Sequence, residues 1–313
     1  MMPDQHDPVS TPSSSSMLDE PSSALVISGF LGAGKTSLVR SLLRQAQNEG
    51  IRLAVISNEF GALGIDRALL QSEQWGEYVE LEGGCVCCQL SSELLETLQK
   101  IWERNRPHRI IVETSGLALP FETLMTFWRE PVSQWVSESL AVVVVNAEQL
   151  ATKRDIEGLF EQQVSSADLL VLNKTDLVDT ASLDQLESFL TEMAPDTPVI
   201  RSSYGQVDSR ILFTSLTKND LPQAREGNMI DSQVHAHDCY EVSELDIEPG
   251  IDLEEVIAQV QALNPVRVKG VVETNSGPVL VQGVGPRFDQ VPAPEHFPAR
   301  LRGRLVVIRR KSR

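Results

Sequence analysis

Continuous apolar runs alternate with amphipathic stretches through the first two thirds of the chain. The runs are rich in Val, Ile and Leu and are not interrupted by polar residues, a pattern typical of strands in a parallel sheet that is covered on both faces. They lie at 24–28, 52–58, 109–116, 140–147, 168–174 and 197–203. Segments with apolar residues at helical spacing lie between them, at 35–50, 91–103, 156–165 and 181–193. This order predicts an α/β fold with a mostly parallel sheet, whose functional residues gather at the carboxyl ends of the strands.

The pattern changes in the last third of the chain. Residues 217–237 are polar and irregular, which predicts a linker or a long loop. Beyond them, short β-branched runs and one helical segment at 253–263 predict a small α+β module, with a hairpin turn at 275–277. The predicted division is a disordered tail rich in Ser, Pro and Asp at 1–23, a first domain at 24–216, a linker at 217–236 and a small C-terminal domain at 237–313.

Composition and charge narrow the class of protein. The chain has 313 residues, of which 41% are hydrophobic and 23% are charged, as in an ordinary globular protein. Its net charge of −17 argues against nucleic acid or an anionic membrane as a partner, because both would be repelled. No apolar run reaches membrane-spanning length, and the first residues lack the pattern of a secretion signal. Three of the four cysteines lie within four positions, which favours free thiols over a disulfide scaffold, so a cytoplasmic protein is expected.

A glycine-rich sequence follows the first predicted strand. Residues 29–36, GFLGAGKT, match the P-loop pattern completely and lie between a predicted strand and a predicted helix, which argues against a chance glycine-rich turn. Glycines let successive backbone N–H groups point at phosphate oxygens, Lys35 can reach the β and γ phosphates, and the Thr36 hydroxyl can complete the shell of Mg²⁺. The predicted phosphate-binding residues are Gly29, Gly32, Ala33, Gly34, Lys35, Thr36 and Ser37, and Lys35 and Thr36 are also predicted to be catalytic.

Two further strand ends carry candidate nucleotide contacts. Asn173, Lys174 and Asp176 belong to the sequence NKTD, and a carboxylate in the plane of the base accepts hydrogen bonds from a donor pair that guanine has and adenine lacks. The sequence therefore predicts GTP rather than ATP, and an ordinary helix-capping loop is the alternative. Glu113 ends another strand and is predicted to be a catalytic carboxylate facing the Mg²⁺ shell, with the Gly116 N–H near the γ phosphate. A strand end with a capping Thr-Ser pair is the alternative there.

Three clustered cysteines form a candidate metal site. Cys85, Cys87 and Cys88 lie in a glycine-led segment before the helix predicted to begin near residue 91. Three soft sulfurs near a helix N-terminus suit Zn²⁺ or Cu(I), with two or three of them as ligands; a redox cluster and plain buried cysteines are the alternatives. Glu59, after another strand end, is a candidate metal ligand, a switch carboxylate or only a loop charge. A weaker candidate zinc-binding set, at the junction of the predicted linker and the C-terminal domain, consists of His235, His237 and Cys239; an exposed linker that carries two histidines is the alternative.

Five motifs occur together in the order GFLGAGKT, NEFGALGID, GGCVCC, ETSGLALP and NKTDL, and with them the chain resembles the CobW-type GTPases, a family of metallochaperones. The resemblance is close from residue 24 to about residue 210 and looser beyond. It implies a P-loop GTPase domain followed by a small C-terminal domain. It also implies CxCC cysteines that bind Zn²⁺ or a similar metal and GTP turnover that drives metal transfer to a client protein. The resemblance further implies that the loop just after the cysteines, here 88–92, approaches the nucleotide and links the two sites.

Two features depart from the family pattern. Asn146 stands where members commonly have Asp, and only two histidines stand where many members carry a histidine-rich stretch. The expected function is hydrolysis of GTP to GDP and phosphate with Mg²⁺, coupled to transfer of Zn²⁺, or of cobalt, to a client metalloprotein. A GTP-dependent metal sensor or store, and an ATP-using kinase with a structural zinc, are the alternatives. Whether the chain forms a homodimer stays open.

Overall fold

The computed structural model describes residues 21–57, 76–80, 87–153, 158–213, 240–293 and 302–310. The linker predicted at 217–236 and residues 1–20 of the predicted tail lie outside these ranges. The strands of the first part are β1 (Ser22–Ser28), β2 (Leu53–Ser57), β3 (Gly76–Glu80), β4 (Arg109–Glu113), β5 (Val136–Asn146), β6 (Leu169–Asn173) and β7 (Val199–Arg201). The helices of the first part are α1 (Lys35–Glu49), α2 (Cys87–Asn105), α3 (Pro120–Phe127), α4 (Ala147–Ala151), α5 (Leu159–Ser165), α6 (Thr180–Met193) and α7 (Ser209–Leu212). Within the described ranges, no helix has both the length and the apolar character needed to cross a bilayer.

All strands of the first part form one parallel sheet in the order β3-β2-β4-β1-β5-β6-β7. The central strand β1 alternates its side chains between two cores. Leu25 and Ile27 pack in the core that includes the apolar face of α1, whereas Ala24 and Val26 pack in the core that includes α2. A strand covered on both faces needs apolar side chains at successive positions, which explains the continuous runs. The predicted α/β class and parallel sheet are confirmed.

The last part of the chain contains strands β8 (Tyr240–Asp246), β9 (Pro265–Thr274), β10 (Gly277–Val284), β11 (Arg287–Pro292) and β12 (Arg304–Arg310), and helix α8 (Leu253–Ala262). The strands form an antiparallel sheet in the order β11-β10-β9-β12-β8. Val256 and Val260 of α8 pack in a core with residues of this sheet. The hairpin predicted at 275–277 joins β9 to β10, where Thr274 is paired with Gly277. The separate α+β module is confirmed, while the domain boundaries remain predictions.

Several elements differ from those that the apolar pattern predicts. α2 begins at Cys87 instead of near residue 91, so 88–92 is helical and not a loop. β1 begins at Ser22, within the segment predicted as a tail, where the backbone pairs with Val136 of β5 and the buried Ser22 hydroxyl donates to the Pro107 carbonyl. β3, with the sequence GEYVE, has too few apolar residues to be recognised from the pattern. The apolar pattern likewise does not predict four other elements of the structure, α3, α4, α7 and β11.

A buried ion cluster joins the two sheets near the amino end of β5. The Glu138 carboxylate lies 3.0 Å from Lys269 Nζ and 3.6 Å from Arg267 Nη2, and all three side chains are at most 6% exposed. Burial lowers the pKa of Arg267, and the charge of Glu138 counteracts this effect. Val306 and Ile308, from the second sheet, pack with the apolar core around α1. The second sheet is therefore held to the first by apolar packing and by one carboxylate shared between two cations.

Replacing Glu138 by Gln leaves two buried cations beside a neutral amide, so we expect the free energy of unfolding to fall by about 3 kcal/mol. The matched control is Glu241→Gln, because Glu241 pairs with Arg309 at 3.1 Å where both side chains are more than a third exposed. Exposed pairs of this kind contribute at most about 1 kcal/mol. Urea unfolding, monitored by tryptophan fluorescence, measures the free energy of unfolding of both variants. An equal decrease in the two variants would contradict the importance of the buried cluster.

Candidate nucleotide-binding site

The P-loop connects β1 to α1 and lies against the ends of β5 and β6. Gly34 is the N-cap of α1 and has φ +102°, a conformation that other L-residues rarely adopt. A Cβ on Gly34 would collide with the Asn173 side chain, and a Cβ on Gly29 would collide with the Val144 carbonyl. Glycine is therefore required at both positions by close approach as well as by backbone conformation. The loop delivers the chain to the first turn of α1, whose N–H groups are suited to bind an anion.

Two asparagines at neighbouring strand ends bind consecutive P-loop carbonyls. Asn146 ends β5 and Asn173 ends β6, and the two residues are paired in the sheet register. Asn146 Nδ2 donates to the Gly32 carbonyl at 3.4 Å, and Asn173 Nδ2 donates to the Ala33 carbonyl at 2.9 Å. Asn146 Oδ1 also accepts hydrogen bonds from the backbone N–H groups of the first turn of α4. An ionised Asp would cap α4 equally well but could not donate, so Asn at this position adds a hydrogen bond to the P-loop that Asp could not make.

Beside the P-loop, one buried carboxylate accepts hydrogen bonds from two hydroxyl groups. The Thr36 hydroxyl donates to Glu113 Oε1 at 2.8 Å, and the Ser57 hydroxyl donates to Glu113 Oε2 at 3.5 Å. Glu113 is 1% exposed, and Lys35 is buried at the first position of α1. Every one of these carboxylate and hydroxyl groups offers oxygen, the ligand type that Mg²⁺ prefers, so the residues fit a magnesium ion.

The predicted base-reading residues follow β6. Lys174 has φ +61°, and Asp176 is exposed in the short 3-10 turn Thr175–Leu177. Asn173 Oδ1 accepts a hydrogen bond from the Gly205 N–H at 3.0 Å, while its Nδ2 binds the P-loop. Asn173 therefore connects the P-loop, the turn that carries the predicted base-reading residues and the loop after β7. The contacts of Lys174 and Asp176 with guanine remain predictions.

The loop after β7 adds residues that the sequence reasoning missed. The Ser202 carbonyl accepts hydrogen bonds from the Thr175 N–H at 3.1 Å and from the Thr175 hydroxyl at 3.0 Å. The Thr175 and Ser203 hydroxyls are 2.9 Å apart and share a further hydrogen bond. The signal available in the sequence was SSYG at the carboxyl end of a predicted strand, where functional residues of a parallel sheet gather.

Gln163 of α5 is a second residue that the sequence reasoning missed. Its Nε2 donates to the Gly116 carbonyl at 3.1 Å and to the Ala118 carbonyl at 3.0 Å, and the side chain is fully buried. The Ser28 hydroxyl donates to the same Ala118 carbonyl at 2.9 Å. The loop after β4, which carries Gly116, is thus held from both sides. A single Gln within an amphipathic helix gives no sequence signal for this role.

Some predicted site residues lie outside the described part of the chain. These are Glu59, Cys85, His235, His237 and Cys239. Cys87 and Cys88 occupy the first turn of α2. Among the residues that the structure describes, no three His, Cys, Asp or Glu side chains gather as a metal site. The predicted metal ligands therefore stay predictions.

The fold and this edge of the sheet define a P-loop nucleotide-binding domain. A family model described as "CobW/HypB/UreG, nucleotide-binding domain" matches residues 23–201. "Zinc chaperone CobW" from Sinorhizobium sp is 32% identical, with 91% of this chain and 92% of the relative covered. "Zinc chaperone CobW" from Pseudomonas aeruginosa is 31% identical, with 85% and 81% covered. The solved structure of Zn(II)-bound YjiA GTPase from E. coli is 24% identical, with 92% and 93% covered and a TM-score of 0.49. The chain belongs to the CobW/HypB/UreG family, as the resemblance in its motifs implies.

Replacing Gln163 by Met keeps the apolar stem and removes both donors to the loop after β4. We expect kcat for GTP hydrolysis to fall about tenfold, because the loop that carries the Gly116 N–H loses its fixed position, an effect of about 1.4 kcal/mol on the barrier. The affinity for GDP should change less than about twofold, since the P-loop contacts remain. The control is Gln162→Met at the exposed neighbouring position. An unchanged kcat for Gln163→Met would remove the role assigned to this residue.

Proposed function

We propose that this chain couples the binding and hydrolysis of GTP to the holding and release of a transition metal, Zn²⁺ or a similar ion, at Cys85, Cys87 and Cys88. The metal is the cargo in this proposal, and a client metalloprotein receives it. The chain is a GTPase of the CobW/HypB/UreG family, which supports the nucleotide half of the proposal. The relatives from Sinorhizobium sp and Pseudomonas aeruginosa are named zinc chaperones, which supports the metal half.

The observation that carries the proposal is the register of β3, β2 and β4. Glu80 at the end of β3 is paired with Ser57, and Ser57 is paired with Glu113, the residue that accepts a hydrogen bond from Thr36. Neighbouring strands lie about 4.8 Å apart, so the backbone leaves β3 about 10 Å from the backbone of Glu113. The cysteine-bearing segment starts at this point and ends at Cys87, where α2 begins. Two strand spacings therefore separate the end of β3, after which the chain continues to the cysteines, from Glu113 beside the P-loop.

Lys35, Thr36 and Glu113 are proposed to act at the triphosphate. The Lys35 ammonium offsets the negative charge that develops on the γ phosphate oxygens as water attacks phosphorus. The Thr36 hydroxyl donates to Glu113 and so keeps its oxygen lone pairs available for a cation. When bound, Mg²⁺ would neutralise charge on the β and γ phosphates. Asp176 would read the edge of guanine, with Lys174 covering the base.

The thiols are proposed to hold the metal at the positive end of α2. Cys87 and Cys88 are successive helical positions, about 100° apart around the axis, and Cys85 precedes the helix. The end of a helix that presents free N–H groups stabilises thiolate anions, which are the form that binds Zn²⁺. Ligation by two or by three of these sulfurs fits the spacing. Because the segment is shared, metal affinity and nucleotide affinity must change each other by the same factor.

The coupling is tested by titrating Zn²⁺ into the full chain in the presence of Mg²⁺ with either GDP or a non-hydrolysable GTP analogue. We expect tighter Zn²⁺ binding with the triphosphate, by a factor between about 5 and about 150. Cys87→Ser should remove the difference, whereas Cys239→Ser, which changes the weaker candidate zinc-binding set, should keep it. GTP turnover should likewise respond to Zn²⁺ in the parent chain and not in Cys87→Ser. Identical Zn²⁺ affinity with both nucleotides would reject the coupling. If the affinities differ but GTP hydrolysis stays negligible even with a client protein present, the chain is a metal sensor or store.

The guanine preference is tested separately by thermal unfolding. GTP at about 100 times its dissociation constant should raise the melting temperature by about 5 °C or more, since binding to the folded state alone stabilises it by about 2.7 kcal/mol. ATP at the same concentration should leave it nearly unchanged. Lys35→Ala serves as the control that should respond to neither nucleotide. An equal response to ATP would favour an ATP-using enzyme.

A further inference from the structure

Tyr204 adopts a backbone conformation that is unfavourable for a bulky residue. Tyr204 has φ +57° and Gly205 has φ +69°, and the Gln206 N–H donates to the Ser203 carbonyl at 3.1 Å across them. A turn with positive φ at both central positions normally carries Asn or Gly at the first of them. Tyr in this position is an outlier, and such outliers persist only where the surrounding contacts hold them.

The surrounding contacts do hold this turn in place. The Gly205 N–H donates to Asn173 Oδ1 at 3.0 Å, and the Ser202 hydroxyl donates to the Gln206 carbonyl at 3.1 Å. A Cβ on Gly205 would collide with the backbone of Ser37 and Leu38 at the start of α1. The turn is therefore fixed between the end of β6 and the helix that follows the P-loop.

The ring of Tyr204 is not needed for packing. The residue is 72% exposed, and the turn itself would be easier to form with Asn. A strained backbone that presents an exposed aromatic ring points to a function for the ring.

The turn places Tyr204 at the edge of the predicted base site. The hydrogen bond between the Ser203 and Thr175 hydroxyls joins the two loops, and the Ser202 carbonyl binds Thr175 as well. Lys174 stands immediately before Thr175, and Asp176 immediately after it. Lys174 and Tyr204, both with positive φ, thus lie on the two loops that meet beside Asp176.

We propose that the Tyr204 ring stacks on the face of the bound guanine while Asp176 binds its edge. This inference rests on the proposed guanine recognition and adds to it the residue that supplies stacking. Aromatic stacking is indifferent to the groups on the edge of a base, because every base has a π face. Tyr204 therefore contributes affinity for the base, and Asp176 contributes the choice of base. GDP and GTP share the same base, so Tyr204 contributes equally to both.

The test compares Tyr204→Asn with Tyr204→Phe by measuring dissociation constants for GDP and for a non-hydrolysable GTP analogue. Asn suits the turn and removes the ring, so affinity for both nucleotides should fall by a factor between about 5 and about 100, as expected for a lost stacking contact. Phe keeps the ring, so its constants should stay within about twofold of the parent. The control is Trp128→Ala, another exposed aromatic, at the end of α3. In steady-state hydrolysis, the lost contact should appear as a higher KM for GTP in Tyr204→Asn.

Thermal unfolding of the nucleotide-free chain separates a functional ring from a structural one. Tyr204→Asn should raise the melting temperature by about 2 °C, because it relieves the strained backbone, while it weakens nucleotide binding. A lower melting temperature together with unchanged affinity would assign Tyr204 to packing and overturn the inference.

Asp176→Asn keeps the failure of this inference apart from failure of the guanine proposal. An amide at this position donates where the carboxylate accepts, so binding should shift from GDP to xanthosine diphosphate, which has a carbonyl in place of the amino group. Adding Tyr204→Asn to this variant should then lower the affinity for xanthosine diphosphate. The factor should equal the one by which Tyr204→Asn lowers the affinity of the parent chain for GDP. If Asp176→Asn changes the preference and Tyr204→Asn has no effect, only the stacking inference is wrong. If Asp176→Asn leaves the preference unchanged, the guanine proposal itself is wrong. The proposal that Tyr204 stacks on a guanine whose edge is bound by Asp176 is then wrong as well.

Discussion

The P-loop, which follows β1, is held in shape by the ends of β4, β5 and β6, strands that lie on both sides of β1 in the sheet. Glu113 of β4 accepts the hydrogen bond from Thr36, and Asn146 and Asn173, at the ends of β5 and β6, bind two consecutive carbonyls of the loop. A loop with several residues at positive φ is unstable by itself, so these contacts determine its conformation. The phosphate cradle is thus a property of the whole carboxyl edge of the sheet, and not of the glycine-rich sequence alone.

Each residue that holds the P-loop also ends a strand that leads into another functional segment. Glu113 precedes the loop that Gln163 binds, Asn146 caps α4, and Asn173 precedes the predicted base-reading turn and binds Gly205. A change in the phosphate site therefore reaches the neighbouring segments through single hydrogen bonds. β2 and β3 extend the same edge to the start of the cysteine segment. This arrangement is the physical basis of the proposed coupling between nucleotide and metal, whose free energy would be the same in both directions.

The parallel sheet and the P-loop could be predicted from the sequence because both depend on local patterns. Continuous apolar runs reveal strands that are buried on both faces, and the glycine-rich sequence reveals a phosphate loop. Gln163 and Tyr204 could not be found in this way, because their roles come from contacts between segments far apart in the chain. The start of α2 at Cys87 was also missed, since Cys is not among the residues that usually mark the beginning of a helix. β3 is short and polar, and only its pairing with β2 defines it as a strand.

The nucleotide-binding part of the chain depends on the antiparallel sheet for Lys269 and Arg267, the two cations that pair with the Glu138 carboxylate. A fragment ending near residue 213 would retain Glu138 in a site built for two positive charges and would leave it without either of them. It would also expose to solvent the apolar surface that Val306 and Ile308 cover. Uncovered apolar surface of this kind promotes self-association. Such a fragment should therefore aggregate when it is concentrated, even though its glycine-rich loop is intact. The antiparallel sheet thus keeps the nucleotide-binding part from self-association by shielding its apolar surface from solvent.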